Sequence, residues 1–400
     1  MTASSLQWLF EPETIRFLQE HEDKDAESLL LSKALANKGW DTRLLVRQLK
    51  GIKTAKQKLP TFYSNHNILY PPPVSLEQAS SEVTARFKAS IIKANTIIDL
   101  SGGMGIDTYF FSLQCEAMIY VEPQQELLEI AAHNFNVLKA NHVQCICSTA
   151  AQFLEGYTAH SDLIYIDPSR RKEGKRLADY KEWEPDIIGL KPQLWKAADK
   201  ILIKLSPMTD ISAVCKELGE VKEVFVVSDR NECKEVLVQL EKNFSGEPQI
   251  HAVLLQGEEE KRYHFYASEE QQAAPLFGDA LHYLYEPDVA LLKAGAFKKI
   301  AVDYGVKKIQ AHTHLYTSEA VREDFPGKTF QVEEVKAYSK SNVTTLLGKE
   351  KDFHVLTRNS TVTPEQVKKQ FKLIERGNRY LIVFKGGNGD TMVVKALRLK

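Results

Sequence analysis

The 400-residue sequence has few cysteines and no run of apolar residues long enough to span a membrane. The five cysteines are odd in number and include no Cys-x-x-Cys pair, so we expect reduced thiols packed as small hydrophobic side chains rather than a disulfide framework or a metal site. A membrane span needs about 18 consecutive apolar residues. The amino-terminal residues also lack the basic start and apolar core of a secretory signal. These absences predict a cytoplasmic protein without a membrane partner.

Charge is nearly balanced over the whole chain, but it is unevenly distributed. Residues 328–400 hold 15 Lys and Arg against 7 Asp and Glu, a net charge of +8, while the residues before them carry a net charge of −9. A basic terminal segment on an acidic body predicts a polyanionic partner, and a merely solvated lysine-rich surface is the alternative. The length and the ordinary balance of hydrophobic and charged residues indicate two to four folded domains.

Two common phosphate-binding patterns are missing from the one glycine-rich turn that stands out. Thr96–Leu100 is a short apolar, β-branched run typical of a buried strand, and Gly102, Gly103 and Gly105 follow it, before a run with helical apolar spacing. Thr108 occupies the position where the dinucleotide pattern Gly-x-Gly-x-x-Gly needs its third glycine, and this turn lacks the Gly-Lys-Ser/Thr of a Walker loop. Strand, glycine turn and helix still predict a nucleotide-binding βαβ unit, in which glycines let a ligand lie against the backbone.

The remaining pattern, Asp99-x-x-x-Gly103-x-Gly105, resembles the first motif of the class I S-adenosylmethionine methyltransferases. Glu122 ends the next predicted strand, where an acid can accept both ribose hydroxyls of an adenosine. The resemblance implies S-adenosylmethionine as the cofactor. Its expected contacts come from the segment before the first strand, the turn, and the ends of the second and third strands, and they are Gln78, Ser80, Asp99, Ser101, Gly102, Gly103, Gly105, Asp107, Glu122, Pro123 and Ser148.

The fourth predicted strand, at 162–166, ends in Asp167-Pro168-Ser169-Arg170, which resembles the (Asp/Asn)-Pro-Pro-aromatic motif of amino-group methyltransferases. In that motif the first side chain and the proline carbonyl hold the amino group in line with the methyl group, and alignment is the main source of rate in such a displacement. Ser169 replaces the second proline. Arg170 replaces the aromatic residue that stacks on the base, a role that a guanidinium can also fill. We expect these four residues and Lys204 to be catalytic, the alternative being a plain strand-ending turn.

Two other hypotheses fit the same fold. Ribose 2′-hydroxyl methyltransferases use a Lys-Asp-Lys-Glu tetrad, for which this chain offers Lys88, Asp167, Lys204 and Glu235. Lys204 is the informative member, because a lysine within an apolar strand is rarely buried without a partner, and burial favours the neutral amine that takes a hydroxyl proton. The third hypothesis is an RNA-binding protein that keeps a cofactor pocket but has lost its chemistry. The missing aromatic residue at Arg170 motivates it.

The regular alternation of strands and helices after residue 95 predicts an α/β fold. Strands are expected near 96–100, 117–121, 143–147, 162–166, 200–205 and 221–228, and their short spacing implies a parallel, doubly wound, Rossmann-like sheet with ligands at the carboxyl ends of the strands. We predict four segments: an N-terminal helical module at 1–73, a methyltransferase domain at 74–268, a small α+β ferredoxin-like connection at 269–327, and a basic α+β domain at 328–400.

Several local features accompany this division. The N-terminal module should contain helices at 13–19, 26–36 and 41–52, the last with a basic face of Arg43, Arg47 and Lys50 that either contacts phosphate or is simply solvated. A helical stretch is expected to start at Tyr285–Asp288, with Asp288 as its candidate cap, and to run to about Tyr304. The last 70 residues predict a βαβαββ module whose second helix starts at the capping box Thr363–Gln366.

These motifs together give the chain a more specific resemblance, to the bacterial class I methyltransferases with a THUMP-like C-terminal domain, whose core is similar to cap guanine-N2 methyltransferases. The resemblance is carried by the basic final module together with Glu77–Ser81, Asp99–Asp107, Glu122–Pro123, Asp167–Arg170 and Tyr285–Asp288. THUMP-type domains bind structured RNA, which agrees with the local charge. The resemblance therefore implies methylation of a base amino group in tRNA or rRNA, with Asp167 at the target.

Overall fold

The computed structural model describes residues 3–27, 29, 39–170, 183–257 and 259–399. These residues form two compact units, of which the first comprises the residues up to Lys222 together with Leu237–Ser245, and the second Glu223–Val236 together with the residues from Gly246 onward. The division into four segments stays a prediction. Among the described residues, no helix combines the length and the apolar character that crossing a bilayer requires.

The N-terminal part of the first unit is helical, as expected. A 3-10 helix at Ala3–Phe10 precedes the helices α1 (Pro12–His21), α2 (Thr42–Lys58) and α3 (Pro60–Tyr63), and residues of this region pack in one apolar cluster. Asp41 starts α2 by accepting the backbone N–H groups of Arg43 and Leu44. The helix predicted at 26–36 lies largely outside the described residues.

The predicted basic face of α2 is largely neutralised within the protein. Arg47 pairs with Glu126 at 2.6 Å, and Lys50 pairs with Glu27 at 2.7 Å. Arg43 is the exposed member of this face. The ion pairs of Arg47 and Lys50 therefore weaken the case that this face of α2 contacts phosphate.

The rest of the first unit is built on a parallel sheet. Its elements, in chain order, are α4 (Pro73–Gln78), α5 (Glu82–Ile91), β1 (Thr96–Asp99), α6 (Ile106–Ser112), β2 (Ala117–Val121), α7 (Gln125–Val137), β3 (Val143–Ile146), α8 (Ala150–Gly156), β4 (Leu163–Ile166), β5 (Ser169–Arg170), β6 (Trp183–Glu184), α9 (Ile187–Ala197), β7 (Lys200–Leu205) and α10 (Ile211–Leu218). The five strands β3, β2, β1, β4 and β7 lie side by side in that order and run parallel. This is the predicted doubly wound sheet, and its strand order reverses between β1 and β4.

The register of this sheet places the predicted site residues next to one another. Tyr165 of β4 lies opposite Asp99 of β1 and Leu202 of β7. Two positions further along these parallel strands, Ser101, Asp167 and Lys204 are therefore neighbours at the carboxyl edge. Residues that are 66 and 37 positions apart in the chain are hydrogen-bonded there because the strands are parallel and in register.

The remaining strands include a second sheet. After β8 (Val221–Asp229) and β9 (Glu232–Glu241), the elements are β10 (Gln249–Gln256), β11 (Glu259–Tyr266), α11 (Ala267–Gln272), β12 (Tyr283–Pro287), α12 (Val289–Ala294), α13 (Lys299–Asp303), β13 (Lys307–Gln310), β14 (Thr313–Ser318), β15 (Gly327–Ala337), α14 (Lys340–Leu347), β16 (His354–Arg358), α15 (Pro364–Phe371), β17 (Arg379–Lys385) and β18 (Thr391–Arg398). Strand β10 pairs in parallel with β8 and antiparallel with β11. Seven strands form a sheet in the order β13-β14-β12-β15-β18-β17-β16, which contains the predicted βαβαββ module.

One prediction in this unit is wrong. Tyr285, expected to start a helical stretch, is fully buried in β12, and helix begins only after Asp288, which caps α12 by accepting the Ala290 N–H. The aromatic and apolar character of Tyr283–Tyr285 suits a strand that pairs on both sides. Strand β12 also pairs with β15, so the predicted ferredoxin-like and basic segments share one sheet. Buried Glu286 reinforces this junction through ion pairs with Lys328 and Arg358.

Candidate functional site

A cavity of about 950 Å³ lies at the carboxyl ends of the parallel strands in the first unit. Thirteen predicted site residues line it, namely Gln78, Ser80, Asp99, Ser101, Gly102, Gly103, Asp107, Glu122, Pro123, Asp167, Pro168, Ser169 and Lys204. Gly105 and Ser148 do not, and the side chain of Arg170 lies outside the part of the chain that the structure describes. The sequence analysis missed Tyr165, Thr149 and Glu184, which also line the cavity. Tyr165 was detectable in principle, because it precedes Asp167 by two positions on one strand and so shares its face.

The glycine turn that forms one wall of the cavity has left-handed backbone at two positions. Gly103 has φ +58° and Gly105 has φ +77°, values that side chains rarely tolerate. A Cβ atom on Gly102 would lie 2.4 Å from the Tyr120 ring, and one on Gly105 would lie 2.6 Å from the Phe135 ring. The turn conformation and the protein's own aromatic side chains thus each require glycine here. Clearance for a ligand, the reason we expected from the sequence, stays a prediction.

Asp99 holds this turn in place. Its carboxylate accepts hydrogen bonds from the Ser101 N–H at 2.9 Å, from Ser101 Oγ at 3.0 Å and from Thr108 Oγ1 at 2.6 Å. Burial raises the pKa of Asp99 to about 7, although these hydrogen bonds oppose the shift. The carboxylate therefore carries a cost in stability at neutral pH while it shapes the cofactor turn.

This raised pKa predicts a stability that falls as the pH rises. Between the pKa of the unfolded chain, near 4, and about 7, the folded protein keeps a proton on Asp99 that the unfolded chain releases. From pH 5 to pH 8 the free energy of unfolding should thus lose about 3 kcal/mol at this group. Urea denaturation of Asp99→Asn at both pH values should show a correspondingly smaller loss than the wild type. Equal losses in the two proteins would contradict the assignment.

Glu122 is fixed at the end of β2 by two backbone donors. Its Oε2 accepts the Gly103 N–H and its Oε1 accepts the Gln124 N–H, each at 2.8 Å. The side chain is almost fully buried, yet it lines the cavity. Each carboxylate oxygen can accept a second hydrogen bond, so the group is preorganised to receive two hydroxyls. This arrangement fits the vicinal hydroxyls of an adenosyl ribose.

Asp167 and Lys204 also line the cavity, at the carboxyl ends of β4 and β7. The Asp167 N–H donates to Ser101 Oγ at 2.7 Å, and the Lys204 ammonium donates to Asp167 Oδ2. Lys204 therefore has the partner that the sequence led us to expect. Ser169 and Arg170 continue as the short strand β5, which pairs antiparallel with Trp183 and Glu184 of β6.

The members of the predicted tetrad do not all reach the cavity. Asp167 and Lys204 line it, whereas Lys88 and Glu235 do not. Lys88 is fully buried and lies 3.2 Å from Asp107 Oδ1, and Glu235 is a buried residue of the second unit.

Metal ligation receives no support from the described residues, in which no group of three His, Cys, Asp or Glu side chains is arranged to hold an ion. His314, which follows His312 by two residues, stacks on Phe297 with the ring centres 4.0 Å apart. Burial lowers the pKa of His314 to about 4. A neutral, packed ring accounts for this residue.

The comparisons with known proteins agree with this description. Residues 283–326 match a family of ferredoxin-like domains, and residues 327–396 match a THUMP domain-like family. No curated protein matches the chain. A solved structure from Porphyromonas gingivalis W83, assigned as a methyltransferase, shares 30% identity and has a TM-score of 0.86, with 98% of this chain and 100% of that chain covered.

More distant structures match only part of the chain. A protein from Streptococcus mutans, assigned as a methyltransferase and solved with S-adenosylhomocysteine (SAH), shares 16% identity at a TM-score of 0.30, over 40% of this chain and 96% of its own. At that distance it has no bearing on function. The P. gingivalis match, by contrast, spans both chains almost completely. The chain therefore belongs to the family of methyltransferases that the P. gingivalis protein represents.

Proposed function

We propose that this methyltransferase acts on RNA and methylates a base amino group of tRNA or rRNA, with guanine N2 as the model for the acceptor. The observation that carries the proposal is the pair of carboxylates in one cavity, Glu122 at the nucleoside end and Asp167 at the acceptor end. The THUMP domain-like match at 327–396 supports RNA as the substrate class.

The residues of the cavity suit S-adenosylmethionine, which when bound supplies an electrophilic methyl group on a sulfonium sulfur. Glu122 would accept the ribose hydroxyls, and Pro123, Leu127 and Ala150 offer an apolar slot for the adenine. Ser148 was expected among the cofactor contacts, but its neighbour Thr149 lines the cavity and Ser148 does not, so we assign this contact to Thr149. The wall formed by Ser75, Gln78, Ala79 and Ser80 would hold the methionine end.

At the acceptor end, Asp167 would accept a hydrogen bond from the amino group and so orient its nitrogen lone pair toward the methyl group. This is catalysis by alignment, the main source of rate in an in-line displacement. Pro168 and Ser169 lie beside Asp167 in the cavity, and the Ser101 hydroxyl holds the Asp167 backbone. The Lys204 ammonium fixes the Asp167 carboxylate from the neighbouring strand.

Ribose 2′-O methylation is the second candidate, and the contact between Lys204 and Asp167 is the observation that favours it. A lysine beside the acceptor can take a hydroxyl proton, but only as the neutral amine. Here Lys204 forms an ion pair with the Asp167 carboxylate, the group that would orient an amino acceptor. We therefore assign Lys204 to the support of Asp167 and place base methylation first.

Methyl-labelled S-adenosylmethionine and unmodified tRNA and rRNA test the proposal. After digestion to nucleosides, label in the base supports it and label in the ribose supports the second candidate. If the base is methylated, Lys204→Met should slow methyl transfer about tenfold. If the ribose is methylated, Lys204→Met removes the general base and should slow methyl transfer about 10³-fold. Binding of SAH and RNA without any transfer would favour a protein that has lost its chemistry.

The basic C-terminal module offers an RNA surface smaller than its net charge suggests. Arg379 and Lys395 both pair with Glu350, and Lys368 pairs with Glu375. Exposed cations around α15 and the final hairpin include Lys369, Lys372, Arg376 and Lys385. We propose that these four contact RNA phosphates.

Replacing these four residues with glutamine should weaken RNA binding and flatten its dependence on salt. Each phosphate that a cation neutralises contributes close to one unit to the slope of log affinity against log salt, so the slope should fall by about 3. Filter binding of tRNA at several salt concentrations measures it. The control replaces four exposed lysines of the first unit, namely Lys53, Lys93, Lys196 and Lys216. An unchanged slope in the first variant would contradict the assignment of this surface.

A further inference from the structure

A buried polar cluster lies against the cavity wall formed by residues 75–80. At its centre, Asp107 Oδ2 accepts hydrogen bonds from Ser80 Oγ at 2.8 Å and from Tyr165 OH at 2.7 Å. Asp107 Oδ1 lies 3.2 Å from the ammonium of Lys88, which also donates to Ser80 Oγ at 3.1 Å. Ser80, Asp107 and Tyr165 line the cavity, whereas Lys88 is fully buried behind them.

The cluster joins the two walls between which methyl transfer would occur. Ser80 belongs to the segment between α4 and α5, and Tyr165 lies in β4, two residues before Asp167. Asp107, in the first turn of α6, bridges them with one oxygen that accepts from both hydroxyls. A protonated carboxyl accepts weaker hydrogen bonds than a carboxylate, because the charge assistance is lost. The strength of the bridge therefore depends on the ionised form of Asp107.

Burial works against that ionised form, and neighbouring charges restore it. Burial alone would raise the pKa of Asp107, but the positive charges of Lys88 on α5 and Lys204 on β7, together with the hydrogen bonds from Tyr165 and Ser80, hold it below its usual value. Asp99 on β1 is the acidic group that faces Asp107, and the negative charges of the two carboxylates repel each other. Of the two cations, Lys88 lies in direct contact with Asp107, whereas Lys204 is bonded to Asp167.

We propose that Lys88 is a positioning residue of the cofactor site, which keeps Asp107 ionised and thereby fixes the wall at Ser80 to the strand that carries Asp167. Lys88 acts through Asp107 and touches neither the cofactor nor the acceptor. This role differs from the one it would have in a catalytic tetrad. The inference rests on the proposed function only in that this cavity binds S-adenosylmethionine.

The pH dependence of SAH binding by Lys88→Met tests this role. At pH 8 the variant should bind SAH about fivefold more weakly than the wild type, and at pH 5.5 about fiftyfold more weakly, because burial then favours the protonated form of Asp107. Titration of Asp99 affects both proteins and largely cancels in the ratio of their dissociation constants. Lys93→Met, at an exposed lysine just beyond α5, is the matched control and should keep this ratio near one.

A ratio for Lys88→Met that is the same at both pH values would overturn the proposal, because a purely structural lysine would weaken binding without coupling it to protons. If Lys88→Met does not fold, Lys88→Met/Asp107→Asn removes both buried charges. This double variant should bind SAH at least about tenfold more weakly than the wild type, and the factor should be the same at both pH values. Wild-type affinity in the double variant would overturn the proposal. A wild-type protein that binds no SAH at any pH would instead contradict the proposed function itself.

Discussion

Asp167→Ala should lower the rate of methyl transfer by about 10³-fold and leave SAH binding within a few-fold of the wild type. The reason is its place in the cavity, at the acceptor end, where it is held by Ser101 and Lys204. Removing the carboxylate takes away the group that orients the acceptor and leaves Glu122 at the nucleoside end untouched. Single-turnover transfer of labelled methyl to RNA, with calorimetric titration of SAH in parallel, separates the two effects.

The matched control for this variant is Asp199→Ala. Asp199 is a well-exposed acid immediately before β7, at the end of the sheet opposite the cavity. It should have no effect on transfer. A rate for Asp167→Ala within tenfold of the wild type would remove Asp167 from the mechanism, and an equal loss of SAH affinity would place it at the cofactor instead.

Glu122→Ala should weaken SAH binding by at least about 100-fold. Hydrogen bonds to a charged group contribute about 1.5–3 kcal/mol each, and the variant loses two acceptors for the ribose hydroxyls. It also leaves the backbone N–H groups of Gly103 and Gln124 without their partner, which loosens the turn that forms the cavity wall. Isothermal titration calorimetry measures the affinity, and the effect on transfer should follow occupancy of the cofactor site.

Glu116→Ala is the control for this measurement, because Glu116 is exposed and directly precedes the amino end of the same strand. It should bind SAH as the wild type does. If Glu122→Ala kept wild-type affinity, the cofactor site would lie elsewhere, and the glycine turn would be only a structural connection between β1 and α6.

The sequence was sufficient to locate most of the cavity because its central features are local. A β-branched run, a glycine turn and an acid at the end of the next strand each depend on a few adjacent residues. Asp167 and Lys204 could also be placed at one edge, since both follow or end apolar strands of a parallel sheet. Their direct contact depended on the register of β4 and β7, which the sequence does not specify.

Features that combine distant segments could not be predicted in this way. The Asp107 cluster draws Ser80, Lys88 and Tyr165 from separate elements, and without the fold Lys88 resembled a tetrad member. The same holds for the basic module, where the count of charges did not reveal that Glu350 neutralises Arg379 and Lys395.

The prediction of helix from Tyr285 onward failed for a different reason, since Tyr283–Pro287 is a strand. Pro287 and Asp288 do signal the start of a helix, but the residues before them are held in a strand by pairing with β14 and β15, which begin 30 and 44 residues after the start of β12. Long-range pairing thus decided the conformation where local signals pointed to a helix.

The most direct test of the cofactor site is a crystal structure of the protein with SAH. We expect the ribose hydroxyls within hydrogen-bond distance of both Glu122 oxygens, the methionine end against the segment 75–80, and the sulfur facing Asp167. SAH bound elsewhere, or with its ribose away from Glu122, would contradict the assignment of the site on which the proposed mechanism depends.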